Sequence, residues 1–480
     1  MPRTRMKDSR STNMPREVLV NWLETLSERL RLARRITAVV GLVLLLYFFG
    51  TWLWCYVFYV RERVVLRENQ VAKLREPYAA HPPESRVWDA IQPLSLDRQR
   101  WALPQDSPLH DALMRGPGTE GWNEIAVWLH DRQDVTAQLR EASKRPVMGY
   151  DFPSAEENPT ALLIDREYLG ASRQVTRLLR GDAHLAASEG EWERFAANVE
   201  ATCNYAKLVA DVNGMVDVLV GHAIYMSAAG TVGEHLAQVP TEQLASLRQS
   251  LAISFRDDPA YAVQALDDDG RDMLQRTFSD TGGGNRGICR DGINYLRSVD
   301  CSGKISRVAW AAPRLRMRVN RADAAAINST VLSQMNAWVQ LPAWERTIPA
   351  VTLAKEDEFA SAFAPISNMW RSTTMAIAST ERTRDMQFAA LLALDAELIK
   401  RQTSVYPDVA TLLAQPGARR DRFTGEQLLT TVASGSLVIY ARGPDRDDDG
   451  GAKHQYFRWD GDNGYDSAQD GDEVLWPPAR

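Results

Sequence analysis

The sequence has few cysteines and none of the short motifs that mark common catalytic sites. Four cysteines in 480 residues exclude a disulfide-dense scaffold, and the lack of a CxxC pair excludes the usual zinc spacing. None of the seven histidines stands in an HExxH motif, and Ser434-Gly435-Ser436 lacks the GxSxG frame of a nucleophile elbow. No reaction can therefore be assigned from a motif.

The chain also lacks an excess of basic residues. The 62 Asp and Glu outnumber the 56 Lys and Arg, which gives a formal net charge of -6 at pH 7. Phosphate backbones are bound by clustered basic residues, so this charge argues against nucleic acid as a partner. The 45% hydrophobic and 25% charged residues are typical of a globular protein, with material for about three domains.

One long uncharged segment, residues 36–60, predicts a transmembrane helix. Its twenty-five residues lie between Arg35 and Arg61. At about 1.5 Å per residue the helix would be about 37 Å long, which exceeds the hydrocarbon core of about 30 Å. The run is longer than the apolar part of a signal peptide, and no small-residue cleavage site follows it, so we expect an uncleaved anchor.

The N-terminal tail, residues 1–35, is basic. It holds nine Lys or Arg against four Asp or Glu, and a short basic tail before a first apolar segment usually stays in the cytoplasm. We therefore expect residues 61–480 on the other side of the lipid bilayer. A stripe at helical spacing fits either an amphipathic helix on the inner membrane surface or a helix that continues into the span. The stripe consists of Leu19, Trp22, Leu23, Leu26 and Leu30.

Hydrophobic periodicity predicts a mainly helical region over residues 61–380. Short helices joined by loops are expected first, and then a helix that starts at Asn158-Pro159 and ends at Gly190. The next helix carries one apolar stripe, and a third helix carries another and ends near Pro240. The two stripes are Trp192, Phe195, Ala196, Val199, Cys203, Ala206 and Val209, and Val216, Leu219, Val220, Ala223 and Met226. The first two of these helices resemble a tetratricopeptide-type hairpin.

The segment between residues 257 and 313 is polar and rich in glycine. Gly282–Gly287 satisfies GxGxxG, but polar, turn-like residues precede it instead of a buried strand, which favours a loop. Cys289 and Cys301 lie in this loop and are a disulfide candidate in an oxidising compartment, and two buried thiols are the alternative.

Three residues of the third helix, His222, Glu234 and His235, could converge on a metal ion. Histidines at helix ends are more often structural, so the sequence assigns them no role.

The last hundred residues predict a small α+β module. A helix with Met386 and Leu398 precedes a short helix, a strand at residues 437–440 and a turn at Gly443-Pro444. This order resembles the C-terminal module of the major pseudopilins of type II secretion. It resembles more closely the tail of a family of uncharacterised bacterial single-pass envelope proteins, over about 90 residues. The family's Asp-Pro-Phe is here Asp421-Arg422-Phe423. The methylated pseudopilin N-terminus is absent, so polymerisation into a pseudopilus is not expected.

Residues 443–473 hold ten acids and three bases, a net charge of -7. Such a segment repels itself unless it is solvated or neutralised by a cation. Asp445, Asp447 and Asp449, followed by glycine, match the start of a calcium loop, but position 12 is Tyr456 instead of glutamate. A later acid would have to complete a Ca²⁺ site, and a solvated acidic tail is the alternative. The candidate acids are Asp460, Asp462 and Asp466.

These patterns predict a mainly α protein in four parts. The parts are a cytoplasmic tail (1–35), a transmembrane helix (36–60), an extracytoplasmic helical domain (61–380) and an α+β module with short antiparallel strands (381–480). The resemblance implies a single-pass protein of the bacterial inner membrane, with most of the chain in the periplasm. We expect a non-catalytic protein whose helical domain is a scaffold or binds other envelope proteins, with calcium stabilising the module. The alternative is an anchored extracytoplasmic hydrolase whose site is assembled from scattered residues.

Overall fold

The computed structural model describes most of the chain, with gaps. The described residues are 16–61, 75–76, 78–96, 103, 107–152, 166–212, 214–253, 255, 263, 267, 271, 274–275, 321–346, 364–413, 418–433, 435–452, 459–460, 464–465 and 471–478. The predicted helix start at Asn158-Pro159, the GxGxxG segment and the proposed Cys289–Cys301 disulfide lie outside them.

The N-terminal helix α1 (Arg16–Arg61) is continuous over 46 residues. It joins the predicted tail stripe to the apolar segment, as expected for a tail helix that continues into the span. An 18-residue window within Val20–Leu53 has a mean hydropathy of 2.2 and is not buried, so α1 is long and apolar enough to span a membrane. Val216–His235 is also long and apolar enough to span a membrane, but 56% of its most apolar 18-residue window is buried, as in a core helix.

The helical region begins with short helices and continues with longer ones. The short helices, joined by loops as predicted, are α2 (Val87–Leu96), α3 (His110–Arg115), α4 (Trp122–His130) and α5 (Gln133–Ser143). The longer ones are α6 (Glu167–Glu189), α7 (Trp192–Ala210), α8 (Met215–His235) and α9 (Thr241–Leu251).

Helices α6 and α7 form the predicted hairpin. Gly190 ends α6 with a φ of 74°, a left-handed conformation that glycine adopts without strain. On α7, the predicted stripe from Phe195 to Val209 is buried, which confirms that prediction. The apolar faces of the two helices therefore meet in one hydrophobic core.

The predicted face of α8 is correct only in part, because Val220 of the stripe is buried and Met226 packs against the core. Val216 is 42% exposed and Ala223 is also exposed, whereas Ile224, Tyr225 and Ala228 are buried. Apolar residues surround most of this helix, so their periodicity could not identify the buried face.

The C-terminal part combines helices with two small sheets. The helices are α10 (Arg321–Val339), α11 (Ala364–Thr403) and α12 (Val409–Leu413). Strands β1 (Leu429–Ala433), β2 (Ser436–Ala441) and β5 (Glu473–Trp476) form an antiparallel sheet in the order β1-β2-β5. Strands β3 (Trp459–Asp460) and β4 (Gly464–Tyr465) pair with each other.

The predicted strand and turn of this part are confirmed. Residues 437–440 lie within β2, and the amide of Arg446 donates to the carbonyl of Gly443 at 3.0 Å. That hydrogen bond closes the turn that Gly443-Pro444 predicts.

Helix α11 runs through residue 380 and packs against α8 and α9. Its buried face, which includes Leu392, shares a hydrophobic core with Ile439 of β2 and Leu475 of β5. The sheet and helices α6–α9 therefore form one packed body in the described part of the chain. The fold is mainly α with a small antiparallel sheet, as predicted.

Candidate functional site

The acidic residues after β2 form a loop, residues 443–452, here called the acidic loop, that lies against the start of β5. A Cβ on Gly443 would stand 2.1 Å from the carbonyl oxygen of Gly471, so only glycine allows this approach. The amide of Gly471 donates to Asp445 Oδ2 at 3.2 Å, and the amide of Gly451 donates to Asp472 Oδ2 at 2.7 Å. These contacts bring two separate acidic segments together.

Three predicted ligands converge in the acidic loop. One carboxylate oxygen from each of Asp445, Asp447 and Asp449 lies within 4.8 Å of the others. Asp445 is half-buried, and the other two are exposed. Carboxylate oxygens at alternate positions, pointing to one side, are the ligands that Ca²⁺ prefers.

A fourth acid, Asp472, was not among the predicted ligands. Asp472 is completely buried, and its Oδ1 has no hydrogen-bond donor among the described residues. Burial and the negative charges of Asp448 and Asp449 raise the pKa of the Asp472 carboxyl to about 6. Asp445 Oδ1 is likewise buried without a donor in that part of the chain. A buried acceptor left in this way costs about 1–3 kcal/mol unless a donor or a cation satisfies it.

The neighbouring Asp448 has a different role. Its Oδ1 accepts hydrogen bonds from the Tyr440 hydroxyl at 3.1 Å and from the Gly450 amide at 2.9 Å. Asp448 thus shapes the turn and is not one of the three converging carboxylates.

The later predicted ligands are not placed. Asp460 lies in β3, but its side chain, like the whole of Asp462 and Asp466, falls outside the described residues. The described acid that approaches the acidic loop from the later segment is Asp472.

A second cluster, here called the histidine cluster, consists of His184, Glu234 and His235. His184 Nδ1 lies 2.9 Å from His235 Nε2, and His184 Nε2 lies 3.5 Å from Glu234 Oε2. One ligand atom from each of the three residues lies within 4.8 Å of the others. His184 is fully buried and His235 is 9% exposed.

Sequence reasoning grouped Glu234 and His235 with the wrong histidine. His222 instead packs edge-on against Phe255, with ring centroids 5.0 Å apart. His184 stands on α6, fifty-one residues before His235, and no local spacing connects the two. Only the packing of α6 against α8 brings them together.

The loop after α3 and its neighbours shape the histidine cluster. Gly116 has a φ of 75°, and a Cβ there would stand 2.7 Å from His184 Cγ. Trp122 stands edge-on to His184, and Phe195 stands edge-on to His235. Aromatic rings and backbone therefore wall the two imidazoles on several sides.

Charged residues join the sheet to α11. Arg422 is buried and donates to Glu473 of β5. Asp385 of α11 accepts from Arg419, and burial raises the pKa of Asp385 to about 6 although both arginines oppose the shift. These ion pairs are thus part of the packing between helix and sheet.

The aspartate before Arg422 shapes the loop between α12 and β1. Asp421 is buried, and its carboxylate accepts from the amides of Phe423 at 2.7 Å and Arg442 at 2.8 Å.

Comparison of the chain with protein-family models, with curated proteins and with solved structures finds no match. The resemblance of residues 381–480 to the pseudopilin module and to the envelope family therefore stays a prediction made from the sequence.

Proposed function

We propose that this protein is a membrane-anchored, non-catalytic bacterial envelope protein whose C-terminal module is stabilised by a calcium ion at the acidic loop. The observation that carries the calcium proposal is the pair of buried carboxylate oxygens, Asp445 Oδ1 and Asp472 Oδ1, that lack a donor among the described residues. They belong to two segments that hydrogen bonds hold together, beside the converging Asp447 and Asp449.

Calcium fits these ligands better than other common cations do. The donors are hard oxygens, and the net charge of -7 over residues 443–473 favours a divalent ion. Exposed Asp447 and Asp449 leave room for water ligands, which suits the six to eight ligands of Ca²⁺. Extracellular modules bind calcium with dissociation constants of about 10⁻⁴ to 10⁻³ M, so a periplasmic or external location would allow occupancy.

The anchor proposal rests on α1 and its flanks. The exposed apolar part of α1 after Arg35 suits lipid contact, and the basic tail before it favours a cytoplasmic N-terminus. The remaining chain would then lie in the periplasm, with the bilayer and other envelope proteins as partners.

A scaffold or binding role for helices α6–α9 is favoured over the alternative of a hydrolase. A hydrolytic site needs acids and histidines that substrate can reach. In the histidine cluster, His184 is fully buried and the Glu234 side chain is 10% exposed. That burial supports a structural role for the cluster.

The calcium proposal can be tested by thermal unfolding of the full chain in detergent, because the module shares its core with the helices. At about 10 mM Ca²⁺ we expect stabilisation by about 1.4–2.7 kcal/mol relative to chelator. Asp445→Asn should abolish most of this gain. The matched control Asp448→Asn removes the same charge from the same loop and should keep it. Equal gains in both variants, or no gain in the parent chain, would reject a specific site.

The orientation can be tested separately with a reporter fused after Arg480. We expect activity of a reporter that works only outside the cytoplasm. Activity of a cytoplasmic reporter at the same position would overturn the proposed topology.

A further inference from the structure

We infer that the histidine cluster is a second metal site, specific for a divalent transition-metal ion of the zinc type and independent of the acidic loop. The inference rests on His184, Glu234 and His235, which two different helices bring together. Two imidazoles and one carboxylate are a donor set that zinc and its neighbours bind and that calcium avoids.

The distances between donors are close to those that coordination needs. His184 Nδ1 and His235 Nε2 stand 2.9 Å apart and share a proton. In a tetrahedral site with metal–nitrogen bonds of about 2.0–2.1 Å, two such nitrogens stand about 3.3 Å apart. The two nitrogens would have to move apart by about 0.4 Å to admit the ion, which small rotamer changes can provide. As the metal takes its place between the rings, the proton of His235 would move from Nε2 to Nδ1, so that both imidazoles bind as neutral ligands.

The second nitrogen of His184 supports this assignment. His184 Nε2 lies 3.2 Å from the carbonyl oxygen of Met114 and 3.5 Å from Glu234 Oε2. Arg180 Nε also lies 3.4 Å from Nε2 and donates to it in the other tautomer of the ring. In the tautomer that carries its proton on Nε2, this proton points to the Met114 carbonyl and the lone pair of Nδ1 faces His235. Histidines that bind metals usually donate their other N–H to a backbone carbonyl or a carboxylate, and the Met114 carbonyl can take this role for His184.

Arg180 orients the carboxylate. Its guanidinium lies 3.1 Å from Glu234 Oε1, which leaves Oε2 on the side of the imidazoles. Carboxylates that bind metals are commonly held by such outer hydrogen bonds. The positive charge of Arg180 also repels a dication, so we expect moderate affinity instead of the very tight binding of a zinc finger.

The histidine cluster has less polar surroundings than the acidic loop. Trp122 and Phe195 stand against the two imidazoles, and the backbone of Gly116 fits closely against His184. These groups limit solvent access, which leaves nitrogen and carboxylate donors to select the ion.

The test uses the metal-free full chain in detergent and Co²⁺ as a spectroscopic probe. We expect one equivalent of Co²⁺ to bind, with absorption bands typical of a site that contains nitrogen ligands, and Zn²⁺ to displace it. His184→Ala and His235→Ala should each weaken Co²⁺ binding by more than about tenfold. The matched control is His222→Ala, which removes a buried histidine from the same helix α8 and should leave binding intact. Asp445→Asn should also leave it intact.

Each result decides the inference. If the parent chain binds neither Co²⁺ nor Zn²⁺, or if His222→Ala weakens binding as much as His235→Ala does, the inference is wrong. Circular dichroism first establishes that the variants are folded. If an alanine variant is not folded, Glu234→Gln and His235→Gln, which remove a ligand and keep a side chain of similar size, take its place. Retained binding in both glutamine variants would also overturn the site.

Discussion

The acidic loop and the histidine cluster both gather groups that can bind metals, but they differ in how their charge is balanced. In the histidine cluster, Arg180 pairs with Glu234 and a proton links the two imidazoles. In the acidic loop, backbone amides hold Asp445 and Asp472 by one oxygen each, and the other oxygen is buried without a donor in the described residues. The first cluster is therefore stable without an ion, whereas the second gains most from one.

The two clusters are also connected. Strand β5 starts directly after Asp472, and its last residue, Trp476, packs against Gly233, which precedes Glu234. A Cβ on Gly233 would stand 3.4 Å from the Trp476 ring. The short strand thus fixes the acidic loop relative to α8.

The largest expected effect breaks this connection. Arg422→Ala would leave the buried carboxylates of Glu473 and Asp385 without one of their cations, and we expect a loss of about 3–5 kcal/mol. Chemical denaturation of the full chain measures it. The control Arg442→Ala removes a pair with Glu426, which is 65% exposed, and should cost about 0–1 kcal/mol. Similar small losses in both would show that the sheet does not depend on this pair.

The effect of replacing Asp472 on stability should depend on whether calcium is present. In chelator at pH 7, Asp472→Asn removes a buried charge beside Asp448 and Asp449 and should stabilise the protein by about 1–2 kcal/mol. In calcium the same change removes a proposed ligand and should reduce the calcium gain. Thermal unfolding under both conditions tests this crossover, and destabilisation in chelator would contradict the account.

The pH dependence should have a defined sign in chelator. Because the pKa of Asp472 is raised from 3.8 to about 6 by folding, the folded state binds its proton more tightly. Stability should therefore fall as pH rises from about 4 to about 6. Asp385 acts in the same direction, since its pKa is also about 6. The difference between the parent and Asp472→Asn, about 1 kcal/mol over this window, isolates Asp472. Identical slopes would exclude its contribution.

The smallest effect concerns the frame of the acidic loop. Tyr440→Phe removes the hydroxyl that donates to Asp448, and we expect a loss of about 0.5–1.5 kcal/mol with an unchanged calcium gain. Thermal unfolding with and without calcium measures both values. A lost calcium gain would place Asp448 among the ligands.

Local patterns predicted the parts of the molecule that depend on neighbours in sequence. The buried stripe of α7, the strand at β2 and the convergence of Asp445, Asp447 and Asp449 all follow from spacings of a few residues. Helical and strand periods act over such distances, so the sequence displays them.

Contacts between distant segments could not be predicted in this way. Asp472 meets the acidic loop only because β5 pairs with β2, and His184 meets His235 only because α6 packs on α8. Asp472 was counted among the ten acids of residues 443–473, but its position in the sequence gave no sign that its side chain is buried. The buried face of α8 was equally hidden, because the helix is apolar on most sides.

The most direct test of the calcium proposal is equilibrium binding of radioactive calcium to the chelator-treated full chain. We expect one saturable ion per chain, with a dissociation constant of about 10⁻⁴ to 10⁻³ M. Asp445→Asn should lose this binding, and Asp448→Asn should retain it. No saturable binding, or equal binding to all three proteins, would mean that the acids form a solvated surface and that the central claim is wrong.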